Sequence, residues 1–398
     1  MHWFILQILN FNTAITHLRH RAKVPINAAS YCKARMRLPL AVVQKLLESS
    51  ARPMAGGEGM HRRWHGLRVY LADGSGSITL DTPELQQEFP QSKRQKKGCG
   101  FPQIKILGLF DAFTGLVIRT LCYSRYHEQS QVWRLHPLLG QKDLLVADRG
   151  FCSYVHLAML QWRGVPGLFR MHQKQIVDFR PHRKSHKKGQ RGRPRSRLVK
   201  RLGKHDQLVR WIKGQRPKWM EPAQWAGIPG SLLVRELRYT FKARGQRTRV
   251  VTMATTLLDP IRYPQEEIAA LYGVRWTVET HFAELKTTLK MRKVKSRTPQ
   301  GVQKEVAVYC LVYNLIHVVM LEAAWRQRVD PGRISFIDTV RWLLSSAPGE
   351  ALPDLVVNPL RPDRHEPRVI KDRQDKYKVM TRPRAQLRNA LKKQAKEA

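Results

Sequence analysis

The spacing of apolar positions changes character several times along the chain. Residues 1–60 carry short apolar runs at helical spacing and read as short helices, among them the basic stretch Ser30–Glu48. From Leu67 the period drops to two, and Leu67–Ala72 reads as a strand ending in the turn Asp73-Gly74-Ser75-Gly76. Gln103–Phe110 and Leu116–Tyr123, joined by Asp111-Ala112-Phe113-Thr114-Gly115, read as a long hairpin. Gln129–Leu139 suits a helix, Asp143–Ala147 a short buried strand, Tyr154–Trp162 a helix and Val165–Arg170 another strand. Strands alternating with helices after an antiparallel hairpin predict an α/β fold, a mixed sheet flanked by helices.

The pattern then breaks. Lys174–Lys204 is dense in Lys, Arg, Gly and Pro and cannot bury a core by itself, so residues 173–248 read as an inserted subdomain that opens with a flexible basic loop. Trp211, Trp219 and Trp225 follow, then a strand over Leu232–Phe241. Arg249–Leu258 returns to strand pattern, and two long helices are expected over Gln265–Met291 and Gln300–Trp325. The chain after Pro348 is Pro-rich and charged, with a basic helical tail at Ala385–Lys396. Val306–Trp325 is long enough to span a bilayer. It carries Asn314, His317 and Glu322 and has no partner span, so it is read as a buried core helix, with no membrane. The apolar run Trp3–Phe11 is interrupted by Gln7 and Asn10 and precedes no small-residue cleavage site, so no signal peptide is expected.

Charge changes the picture most. The 398 residues hold 72 Lys+Arg against 30 Asp+Glu, a formal net charge of +42. Such a charge repels itself in a compact state unless a polyanion neutralises it, which points to nucleic acid. The five cysteines, Cys32, Cys99, Cys122, Cys152 and Cys310, are scattered without any C-x-x-C pair. Neither a zinc ribbon nor a disulfide framework is indicated, and a reducing cytoplasm fits.

Candidate chemistry lies in the helix expected over Gln265–Met291. At 100° per residue, with Tyr272 at 0°, Arg275 falls at about 300°, Glu279 at about 340° and Lys286 at about 320°. Leu271, Val278, Phe282, Leu285 and Leu289 form an apolar stripe beside them. The polar row would stand at the margin of the buried contact, able to reach a substrate. The plain alternative is a solvated face with Arg275 paired to Glu279 at i,i+4. Asp73 and Asp148 each end a strand, and the carboxyl end of a buried strand is where open α/β sheets place ligands. Asp73 before Gly74 also suits an ordinary turn. If the three acids converge, they suit phosphodiester transfer. That reaction needs in-line geometry and neutralised charge on the attacking and leaving oxygens, supplied by divalent ions on carboxylates.

Asp73-Gly-Ser, Asp148-Arg-Gly-Phe and the Tyr-x2-Arg-x3-Glu-x6-Lys spacing over Tyr272, Arg275, Glu279 and Lys286 resemble the DDE transposases of bacterial insertion sequences, of the IS-four superfamily. The resemblance covers about residues 30–330. It implies an RNase H-like catalytic domain in two parts, 61–172 and 249–345, around a largely β insertion at 173–248. Residues 1–60 would be a helical DNA-binding region, short for the family and open to truncation, and 346–398 a basic tail. It further implies that Asp73, Asp148 and Glu279 bind two Mg2+ ions, with Mn2+ a substitute, while Tyr272, Arg275 and Lys286 hold DNA phosphates. The reaction would be cleavage at element ends and strand transfer into target DNA, by a homodimer on DNA in the cytoplasm. Arg191, Arg193 and Arg195 are candidate DNA contacts, as an AT-hook-like core or as a disordered phosphate-binding loop. Rival readings are a catalytically retired DNA-binding protein, an RNase H-like nuclease without strand transfer, and a recombinase that bonds covalently to DNA.

Overall fold

The strands predicted from alternation join one nine-stranded mixed sheet, of order β3-β2-β1-β4-β5-β9-β8-β7-β6. The structure is a computed structural model. It describes residues 1–18, 27–51, 63–124, 128–183, 195–241, 249–360 and 380–397. The chain begins with α1 (His2–Leu9), α2 (Ala28–Arg37) and α3 (Leu40–Ser50). The first half of the sheet follows: β1 (Arg68–Ile78), α4 (Pro83–Glu88), β2 (Gln103–Asp111), β3 (Val117–Tyr123), β4 (Asp143–Ala147), α5 (Tyr154–Trp162) and β5 (Gly167–Arg170). The second half is β6 (Arg197–Gly203), β7 (Asp206–Ile212), α6 (Pro222–Gly227), β8 (Ser231–Phe241) and β9 (Arg249–Thr255). The chain ends with α7 (Gln265–Val274), α8 (Thr277–Ala283), α9 (Pro299–Arg326), α10 (Phe336–Ser345) and α11 (Arg384–Glu397).

β1, β4 and β5 are parallel, and the remaining pairs are antiparallel. Alternation along β1 and β4 assigns the two faces. Val69, Leu71, Leu144 and Val146 join a core shared with α1, α3, α7, α8 and α9. Tyr70, Ala72, Leu145 and Ala147 join a second core with α5 and the turn Val132–Leu138. The apolar helix α9 fills the larger core, with Val306, Tyr309, Tyr313 and Ile316 fully buried. It is long and apolar enough to cross a membrane, and its place in that core accounts for the composition. Its buried Asn314 donates to Val117 O and accepts from Val117 N, both at 2.8 Å. The N-terminal helices pack on the same core through Phe4, Ile8, Val43 and Leu47.

Four local expectations need correction. β1 does not end at Ala72 in a turn: it continues through Asp73-Gly-Ser-Gly to Ile78, because the ladder with β2 runs unbroken from Asp73↔Gly108 to Ile78↔Gln103. Paired backbone groups there outweigh the turn preference of Asp-Gly. Gln129–Leu139 is not an α-helix; Val132–Leu138 is 3-10, with Pro137 inside, which lacks the N–H an α-helix needs and crowds the preceding turn. The basic segment Lys174–Lys204 is not loop throughout, since β6 occupies its end and pairs with β7. Residues 184–194 lie outside the described residues. With β7 and β8, β6 extends the common sheet through β9 instead of building a sheet apart.

The fourth correction matters for the site. The helix expected over Gln265–Met291 is broken between α7 and α8. Arg275 N, Val278 N and Glu279 N each reach back three residues, to Tyr272 O, Arg275 O and Trp276 O, at 3.1–3.2 Å. Three-residue bonds tighten the winding there, and Glu284–Thr288 then widens into a π-turn. The single 100° wheel therefore does not hold across the four signature residues.

Candidate active site

Asp73 lies within β1, one position past the pair Ala72↔Ala147 that joins β1 to β4. Asp148 follows Ala147, so the two aspartates leave adjacent parallel strands at the same end. Opposite Asp73 stands Gly108 of β2. A Cβ on Gly108 would meet Phe110 Cε2 at 2.5 Å and Phe282 Cζ at 3.3 Å. The missing side chain lets Phe282 of α8 settle against β1 beside Asp73, and α8 carries Glu279.

Arg275 joins these elements. Its side chain is only 6% exposed, with Nη1 3.8 Å from Asp73 Oδ2 and Nη2 3.1 Å from Glu279 Oε1. Tyr272, fully buried, donates from its hydroxyl to Asp148 Oδ1 at 3.4 Å. Both were expected at the margin of the buried contact; instead Tyr272 lies on the buried face of α7, and Arg275, at the break after it, is buried too. Lys286, in the π-turn, donates from Nζ to Ser75 Oγ at 3.2 Å, on the same strand as Asp73. Burial and the nearby Arg292 hold its pKa below the usual lysine value. Glu279 stays in solvent, its side chain 64% exposed. Asp73, Asp148, Tyr272, Arg275, Glu279 and Lys286 are thus brought to one edge of the sheet. Arg195 is exposed, away from this set in sequence, and Arg191 and Arg193 lie outside the described residues.

The acid at the centre is electrostatically uncomfortable. Burial pushes the Asp73 carboxyl up to about 6; the Gly74 N–H (2.8 Å) and Arg275 pull it down, and the charges of Glu128 and Asp148 push it up again. Glu128 is a residue that sequence reasoning missed. It follows β3 with no spacing to recommend it, and only the fold sets its carboxylate against Gly74 and Gly150. Trp276, next to Arg275, is half-buried beneath the Arg249 guanidinium at 5.5 Å and edge-on to Tyr272. The three tryptophans of the insertion have packing partners. Trp211 donates to Glu236 Oε1 at 2.8 Å, Trp219 stacks on His156 and Trp225 lies over the Lys213 ammonium.

Behind α8, His281, Glu284 and His317 offer ligand atoms within 4.8 Å of one another. Tyr313 ties them together, its hydroxyl 2.8 Å from His281 Nδ1 and 3.3 Å from Glu284 Oε2. Burial raises the Glu284 carboxyl, but hydrogen bonds from His281 and His317 prevail and hold it at about 2. Gly115, at φ +72°, closes over this cluster; a Cβ there would meet His281 Cε1 at 2.9 Å. The cluster anchors the π-turn, between Glu279 and Lys286, to α9.

The chain is 25% identical over 365 residues to the transposase InsG for insertion sequence element IS4 of Escherichia coli (strain K12), covering 87% of this chain and 76% of that one. Among solved structures, the piggyBac transposase synaptic complex with hairpin DNA aligns at a TM-score of 0.35 and 13% identity, over 71% of this chain and 55% of that chain, a likeness too low to show a shared fold. The Transposase DDE domain profile matches residues 64–315, a span that holds both aspartates and all four signature residues, from Tyr272 on α7 to Lys286 in the π-turn. With more than half of its length so matched, the chain belongs to the DDE transposase family.

Proposed function

We propose that this protein is the transposase of an insertion sequence, cutting DNA at the element's ends and joining the freed 3′-OH to target DNA in a cut-and-paste reaction. The observation that carries this reading is the gathering of Asp73, Asp148 and Glu279 around Arg275 at one sheet edge in a chain of net charge +42. The order β3-β2-β1-β4-β5, with β2 antiparallel to its neighbours, supports an RNase H-like core.

The donor set suits a hard divalent cation, being all carboxylate oxygen, and a cation there would offset the cost of burying the Asp73 carboxylate beside Glu128 and Asp148. Asp73, Asp148 and Glu279 would hold two Mg2+ ions, with Mn2+ as substitute. Bound there, such ions neutralise charge on the attacking and leaving oxygens and ease deprotonation of water. Tyr272 orients Asp148 through its hydroxyl. Arg275 neutralises Asp73 and Glu279, and with a cation held there its guanidinium would be available to a phosphate oxygen. Lys286, held by Ser75, stands two residues along β1 from Asp73 and would take a phosphate of the cut strand. The helical 1–60 region, the basic 173–248 insertion with Arg191, Arg193 and Arg195, and the 346–398 tail would supply further DNA contacts. The chain would act as a homodimer on DNA in the cytoplasm.

The test is incubation with a plasmid carrying the chain's own flanking DNA, with and without Mg2+, and products resolved by strand. Strand-specific ends plus joined products are expected only with Mg2+. Breaks that never join would make it a nuclease, binding without breaks a retired regulator, and a covalent adduct a recombinase.

A further inference from the structure

The signature supplies three acids, yet the fold brings a fourth. β1, β3 and β4 run in the same direction, because β2 is antiparallel to both β1 and β3 while β4 is parallel to β1. Their carboxyl ends therefore open on one edge, and Glu128, five residues after the last residue of β3, has its carboxylate there. β4 stops at Ala147 while β1 runs on to Ile78, so among the described residues the β4 side of β1 has no ladder partner from Asp73 to Ser77, before Ile78 bridges Lys293. Glu128 stands over the face of this open stretch, at Gly74. A Cβ on Gly74 would stand less than 3.0 Å from Glu128 Oε1, and one on Gly150 would stand 3.7 Å from Glu128 Oε2. Two glycines, one beside each catalytic aspartate, thus form a cradle that any side chain on Gly74 would obstruct.

Strand alternation sets the direction of approach. Asp73 shares the face of Val69 and Leu71, which α8 covers, whereas Gly74 shares the face of Tyr70 and Ala72. Glu128 reaches the aspartates from the face opposite the helix that brings Glu279. Its carboxylate has no ion pair or side-chain hydrogen bond among the described residues, although Lys and Arg outnumber Asp and Glu by 72 to 30. An acid partly shielded from water and without a cationic side chain beside it leaves its carboxylate oxygens open to a ligand.

We infer that Glu128 is a fourth carboxylate of the cation site, closing it from the face opposite Glu279. This inference rests on the function proposed above. The chemistry is oxygen ligation of a divalent cation, direct or through a bound water, and it adds no step to the reaction.

Mn2+ binding to the full-length protein, followed by electron paramagnetic resonance of free Mn2+, tests it without requiring activity. Glu128→Gln keeps the side chain's size, and Gly74→Ala displaces the carboxylate without changing charge; circular dichroism checks that both fold. Both variants are expected to bind Mn2+ about 10-fold or more weakly than wild type, with unchanged or higher Tm in the absence of metal, and Glu128→Asp to recover part of the affinity. Wild-type affinity in Glu128→Gln, with Asp73→Asn clearly impaired, overturns the role of Glu128 and leaves the cation site standing. Equal affinity in wild type and Asp73→Asn instead removes the cation site itself. A large loss of Tm in metal-free Glu128→Gln would make Glu128 a structural residue and also overturn the inference.

Discussion

Arg275 donates from Nη2 to Glu279 Oε1 at 3.1 Å, and the two partners differ sharply in exposure: the arginine is 6% exposed and the glutamate 64%. On a solvated helix face the pair would be worth a few tenths of a kcal/mol. Here the guanidinium is buried and shared with Asp73, its Nε has no hydrogen-bond partner among the described residues, and the Glu279 carboxylate faces solvent. The pair links the two acids through one buried guanidinium.

Asp73→Ala, Asp148→Ala and Glu279→Ala are each expected to lower cleavage by about 10³-fold or more, roughly 4 kcal/mol of barrier, while DNA affinity changes little. In the proposed reaction, affinity would come from Lys and Arg on phosphates, whereas the acids would act on the reacting atoms. Strand-resolved cleavage and filter binding on the same preparations check this. Near-normal cleavage by any one variant removes that acid from the reaction.

Asp73 gives a pH signature. Its folded carboxyl, at about 6, lies above the ordinary 3.8, so ionisation is disfavoured in the folded state. The sign follows: stability is full below about pH 4 and falls as pH rises towards 6. Asp73→Asn should therefore stabilise the metal-free protein at pH 7–8 by about 1–3 kcal/mol, with the gain vanishing at pH 4. Denaturant titrations at the two pH values measure it, and a variant less stable at both would contradict the assignment.

Lys286→Ala should weaken binding to pre-nicked ends and slow cleavage, by about 1–3 kcal/mol if a charged hydrogen bond to phosphate is lost. Ser75→Ala removes the 3.2 Å bond that holds the ammonium in place and should produce a smaller loss in the same assays. Thermal melts should shift little in either variant. A Lys286→Ala protein that melts much earlier yet cuts normally would show the lysine to be structural.

Glu284, held at about 2 by His281 and His317, contributes stability above its ordinary value of 4.5 that is lost as pH falls towards 2. Glu284→Gln should cost about 1–2 kcal/mol at pH 7 and flatten the acid limb of the unfolding curve below pH 4.5. Because the cluster fixes the π-turn, cleavage should also fall with DNA affinity nearly intact. A melting curve unchanged from pH 7 to pH 3 would remove the cluster's anchoring role.

Local pattern determined a good deal of this protein. Period-two runs marked β2, β3 and β8 almost to the residue, the buried run Asp143–Ala147 is β4 as expected, and Tyr154–Trp162 is α5. Those signals are legible because each strand or helix must bury a face whose period is written in its own residues. Residue types and spacing likewise singled out Asp73, Asp148 and the Tyr272–Lys286 row. Tertiary structure decided the rest. Whether Asp73 ends a turn or lies in a strand depended on a partner strand some 30 residues away, since Gly108 and its neighbours supply the ladder bonds. Whether Gln265–Met291 is one helix depended on burying Arg275 and Tyr272 against the aspartates, which no single helical wheel contains. Glu128 has no local signature at all. Its place beside Gly74 and Gly150 follows from three parallel carboxyl ends opening on one edge, a relation that exists only once the sheet has formed.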